Sequence, residues 1–190
     1  MDSRSHRRTT RGITLLEMVS VMAIVAILMT IAIPSYKYVT NSNRIAAEVN
    51  GLLGDMQFAR SEAIKEGQTA TVCVSSNGTS CSVGSTTWQS GWIVFSDVNG
   101  SQTVDPGDTI LRVQSTFLGT DTFTANHAIS AVSFNREGFA SANGGGLTNG
   151  TALITLHAQT PNAASTRCLA VNTIGLMAVQ TVQNSGGTCL

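Results

Sequence analysis

The stretch RGITLLEMVSVMAIVAILMTIAIPSY, residues 11–36, carries one side chain whose chemistry conflicts with its surroundings. Glu17 is the sole acid in an apolar run long enough to cross a bilayer. A carboxylate inside such a run costs on the order of 3 kcal/mol on insertion, so it needs a cationic partner and a task. No Lys or Arg follows it within two helical turns, and Arg11 stands six positions before it. The partner is therefore expected from another molecule.

Other residues have chemistry-bearing types. Cys73, Cys81, Cys168 and Cys189 are even in number and lack CxxC spacing. They suit two disulfides in an oxidising compartment rather than zinc. Four cysteines allow three pairings; the local pairs Cys73–Cys81 and Cys168–Cys189 are expected, each closing a polar Gly/Ser/Asn-rich loop. Asp97, Asn99, Asp105 and Asp108 offer oxygen ligands to a hard cation such as Ca²⁺. Their spacing lacks the EF-hand pattern, and Asp105-Pro106-Gly107-Asp108 reads as a hairpin turn, so no metal or other cofactor is expected. His127 and His157 have no nucleophile motif such as G-x-S-x-G nearby, so catalysis is not expected.

Elements must position these residues. The formal net charge is zero, but residues 1–12 hold four arginines and one aspartate, a net of +3. That leaves −3 on the remainder, a poor match for anionic partners. A basic stretch followed by an apolar one begins an export signal or an anchor. Residues 13–33 as a helix would span about 31 Å, the thickness of a hydrocarbon core. A secretory cut after Thr30-Ile31-Ala32 is the competing reading, and neither it nor a plain anchor accounts for Glu17.

Beyond Pro34, Ile45, Val49, Leu52, Met56, Ala59 and Ala63 recur at spacings of 3 and 4, the apolar stripe of an amphipathic helix. Gly67 is placed to end it. Pro34 should bend the helix by removing one backbone bond. Short β-patterned runs follow at 69–75, 91–96, 109–114, 129–135, 152–158, 168–172 and 176–182, separated by turn-forming stretches. Trp88 and Trp92 are expected to fill the core beside the helix. The fold class expected is α+β: one long N-terminal helix packed on antiparallel sheet.

The segment Gly12-Ile13-Thr14-Leu15-Leu16-Glu17 resembles the G-F-T-L-x-E motif of type IV prepilins and type II secretion pseudopilins. The resemblance implies a prepilin peptidase that cuts after Gly12 and N-methylates Ile13, where Phe is usual. It also implies that Glu17 neutralises the new α-amino group of a neighbouring subunit, and that Pro34 is a helix-kinking proline. The organisation implied is a leader at 1–12, a transmembrane helix at 13–34, an amphipathic helix at 35–67 and a periplasmic head at 68–190. The segments FARSEAIKEG, TVCVSSNGTSC, GWIVFSDVNG, DPGDTILRV and VSFNREGFA look like the GspH/FimT family. The roles this implies are a FimU-like minor pilin that primes filament assembly, a minor pseudopilin of type II secretion, and a FimT-like DNA receptor. The first is favoured, with other pilins as partners through the N-terminal helix, and an inner-membrane location before entry into the pilus of a Gram-negative bacterium. By resemblance, DNA receptors carry a G-R-x-R segment where this chain has residues 175–179, GLMAV. Useful affinity would want about 3–6 phosphate contacts, so nucleic acid is not expected as a partner unless Arg112, Arg136 and Arg167 converge.

Overall fold

The computed structural model describes residues 12–117, 119, 121–144, 147, 151–157, 165–184 and 189. It divides into two compact units, Met1–Thr40 and Asn41–Leu190. The expected leader therefore lies outside the described residues apart from Gly12.

Helix α1 spans Leu15–Glu66, with Pro34 inside it. Its portion in the first unit is unburied and holds a stretch long and apolar enough to cross a membrane. Such a segment is stable only against lipid or other apolar helices. Thr14 caps the start: its Oγ1 accepts a 3.2 Å bond from the Glu17 amide, one of the donors a helix start leaves unpaired.

In the second unit α1 buries Ile45, Val49, Leu52, Met56, Ala59 and Ala63, the six positions of the apolar stripe. Gly67, at φ 70°, ends the helix by donating its amide to the Ala63 carbonyl at 3.0 Å. That left-handed conformation is the one glycine adopts without strain.

Two antiparallel sheets follow. The first has the order β3-β2-β1-β5-β6, from β1 (Thr69–Val74), β2 (Gly91–Asp97), β3 (Thr109–Ser115), β5 (Ala131–Phe134) and β6 (Ala140–Ala142). The second has the order β4-β7-β8-β9, from β4 (Thr122–Ala125), β7 (Thr151–His157), β8 (Arg167–Asn172) and β9 (Met177–Thr181). Strands β4 and β6 were not expected from sequence; they are short, and rich in Thr, Ser and Ala. The expected strand at 129–135 is shorter, because the Asn143 side chain accepts the Ser130 and Ala131 amides ahead of β5.

Ala70, Val72 and Val74 of β1 and Trp92 and Val94 of β2 join the helix stripe in the main core. Phe123, Ile154, Leu156, Leu169 and Val171 from the second sheet complete it. The alternate residues Cys73, Ile93, Phe95 and Ala131 form a smaller cluster on the other face of the first sheet. Period-two alternation thus feeds apolar groups to both faces of β1 and β2. Trp88, in a 3₁₀ turn at Trp88–Ser90, is fully buried and donates Nε1–H to the Ile129 carbonyl at 3.1 Å.

Candidate functional site: the N-terminal helix and the ties of the head

Glu17 stands in the first turn of α1, where the helix dipole favours a negative charge. Its neighbours Leu15 and Leu16 are 83% and 78% exposed, so the acid sits on an apolar surface with no protein packed against it in the monomer. No ion pair among the described residues includes it. Gly12 and Ile13 precede the helix and are exposed, so the peptide bond between them is accessible.

Two disulfides close the local loops, Cys73–Cys81 and Cys168–Cys189, with Cα–Cα distances of 5.6 and 5.7 Å. The first ties the 75–81 loop to the smaller core cluster. The second ties residue 189 to β8.

Asp97, Asn99, Asp105 and Asp108 come together in one loop, and the loop itself uses their oxygens. Asp97 is fully buried and accepts the Thr71 hydroxyl at 2.8 Å and the Ser101 and Gln102 amides at 3.0 Å. Asp108 accepts the Val98 and Asp105 amides. Bonds from Ser101 and then Asn99 hold the Asp105 carboxyl below its ordinary range. Among the described residues no group of three or more His, Cys, Asp or Glu could hold a metal ion. The geometry is that of a turn stabilised by its own side chains.

The three arginines stand on separate elements. Arg112, on the edge strand β3, pairs with Asp55 at 2.9 Å and lies 3.7 Å over the Phe58 ring. Arg136, between β5 and β6, pairs with Glu137 at 2.7 Å. Arg167 opens β8 in the second sheet and donates to the Thr166 carbonyl at 2.9 Å. Arg112 and Arg136 are thus each already matched by an acid. Residues 175–179 form a turn at Gly175 and the start of β9, with Leu176 and Val179 exposed there.

Several ties escaped the sequence reading because their partners are far apart in the chain. Arg44 makes a bidentate bridge to Asp121, at 2.8 and 2.9 Å, across 77 residues. Arg60 donates to the Gly138 carbonyl at 2.9 Å and to the Ile174 carbonyl at 3.4 Å, holding a turn of each sheet against α1. Their one sequence signal is position: Arg44, Asp55 and Arg60 flank the buried stripe, where a polar tip can reach over the sheet rim.

Residues 48–175 match the family described as Type II transport protein GspH. The chain belongs to the GspH family. Its residues 7–33 also match the prokaryotic N-terminal methylation motif. Two crystal structures of the Pseudomonas aeruginosa (strain PAO1) type IV minor pilin FimU share the fold. One, in space group P21, has a TM-score of 0.58 at 16% identity, covering 78% of this chain and 96% of that one. The other, in P65, has a TM-score of 0.53 at 18% identity, covering 78% and 99%. No curated protein sequence matches the chain. This GspH-family chain thus joins an apolar N-terminal helix that carries the methylation motif to a disulfide-tied β head with the fold seen in FimU.

Proposed function

We propose that the protein is a minor pilin of a type IV pilus that works by assembly rather than turnover and helps to prime the filament. The observation that supports this most is the first unit's exposed helix, with an apolar membrane-length stretch and a lone carboxylate in its first turn. In this reading prepilin peptidase cuts after Gly12 and methylates Ile13. The helix from Ile13 holds the subunit in the inner membrane of a Gram-negative cell, with the head in the periplasm, before it moves into the filament. Methylation leaves the new amine charged, so Glu17 of one subunit meets the amine of the next. A subunit inserted out of step would bury an unpaired acid, which makes the pair a register device. Pro34 supplies no amide and loosens the helix where the membrane segment gives way to the head.

The family description favours a second reading, in which the filament is the pseudopilus of a type II secretion system. Deletion of the gene separates the two. Loss of piliation and twitching with intact secretion supports the pilus. Loss of exoprotein release with normal pili overturns it in favour of the secretion machine.

A further inference from the structure

At the start of the second unit, Glu48 on α1 keeps one carboxylate oxygen unsatisfied among the described residues. Its Oε2 is buried without a hydrogen-bond partner, the sole side-chain atom of that kind among the described residues. The nearest cation does not serve it: Arg44, one turn earlier, directs Nε and Nη2 onto the two oxygens of Asp121. Asp121 is fully buried in its side chain, so that bidentate pair is fixed on one side. Glu48 and Asp121 thus both face the Arg44 guanidinium, and Asp121 takes its two hydrogen bonds. Burial first, and then Asp121, push the Glu48 carboxyl above its ordinary range, while Arg44 opposes them.

This unmatched acid lines a groove. One cavity of about 410 Å³ is bounded by Arg44, Glu48, Gln114, Thr116, Phe117 and Gly119. A second, of about 310 Å³, shares Glu48, Gln114 and Phe117 and reaches past Gly51 to Trp92. A Cβ added at Gly51 would meet nothing within 4 Å, so the groove is open beside the helix. A carboxylate with a buried, unbonded oxygen beside the Phe117 ring suits a cation on an alkyl stem, which gains ion pairing and ring contact together.

We infer that the Glu48 groove receives a basic side chain, lysine or arginine, from a neighbouring subunit of the assembly. Charge complementarity selects the occupant: an acidic or apolar group would leave the carboxylate buried and unpaired, the costly outcome at an interface. The inference rests on the assembly reading and adds a second ionic contact, within the head, to that of Glu17.

The test uses the full-length chain in its native host. A photo-crosslinking amino acid at position 114 reports what lies in the groove, and the linked residue is mapped by mass spectrometry. The expected result is a cross-link to a second filament subunit within about one helical turn of a Lys or Arg. Glu48→Lys should cut incorporation about tenfold through like-charge repulsion. Gly51→Leu, which fills the groove without changing charge, should also lower incorporation while the melting temperature is kept. Cross-links to a surface without a base, or wild-type incorporation of both variants, would overturn the inference. A wild-type chain missing from filaments would instead count against the assembly reading, and the position-114 cross-link in membranes would still report the groove's occupant.

Discussion

Asp55 of α1 accepts a 2.8 Å hydrogen bond from the indole Nε1 of Trp92 on β2, and its other oxygen takes Arg112 of β3 at 2.9 Å. One carboxylate thereby fixes the helix to two adjacent strands. Trp92 is 1% exposed, so its N–H has no ready substitute for Asp55. Asp55→Ala should cost about 2–3 kcal/mol, the penalty of a stranded buried donor plus a lost ion pair. That corresponds to about 4–12 °C in Tm for a chain of this size. Asp55→Asn keeps an acceptor and should lose about 1 kcal/mol. Equal melting of the alanine variant and the wild type would show that the tie is idle.

Glu48 predicts a pH signature. Its carboxyl titrates above its ordinary value of 4.5 in the folded chain, chiefly because burial disfavours the charge. The folded state therefore holds this proton more tightly than the unfolded one, and ionised Glu48 opposes folding at neutral pH. Glu48→Gln should raise Tm at neutral pH, with the gain fading as pH falls through the raised value toward 4.5. A gain that persists unchanged to pH 4 would contradict this sign.

Removing the disulfides tests what holds the polar loops. The Cys73–Cys81 bridge closes 8 residues and Cys168–Cys189 closes 21. Loop entropy assigns them about 2.5 and about 3.3 kcal/mol respectively. Paired Cys→Ser variants should melt lower than the wild type in that order, and the wild type should converge on them under reductant. An unchanged Tm in reductant would contradict the assignment.

Glycines in two settings should respond with opposite sign. Gly175 has φ 75°, and an added Cβ would run into the Gly138 carbonyl and the Arg60 guanidinium. Gly175→Ala should cost about 1–3 kcal/mol. Gly54 lies within α1 with open space around it, so Gly54→Ala should gain up to about 1 kcal/mol. Thermal unfolding of the two variants gives both signs, and a stabilised Gly175→Ala would contradict the account.

What was legible in the sequence was whatever a short window could encode. The 3-and-4 spacing from Ile45 to Ala63 marked every buried position of the helix, and Gly67 marked its end. β-Branched runs marked β1, β2 and β3, because those strands pack apolar groups on one face or both. The four-residue β4 and three-residue β6 carry no such signal and exist through pairing with β7 and β5. The division into two sheets was also hidden, since the chain changes sheet between β3 and β4 and again between β6 and β7. Glu17 was legible because its neighbours are apolar. Glu48 was not, because its lack of a partner depends on Asp121 capturing Arg44 from 77 residues away.

The most direct measurement is the intact mass and N-terminal sequence of the chain recovered from membranes and sheared filaments. The account predicts a chain that begins at Ile13 and carries one methyl group, and a Glu17→Ala variant that is processed but scarce in filaments. A wild-type chain that keeps its first twelve residues, or that begins at Ile33, would contradict it.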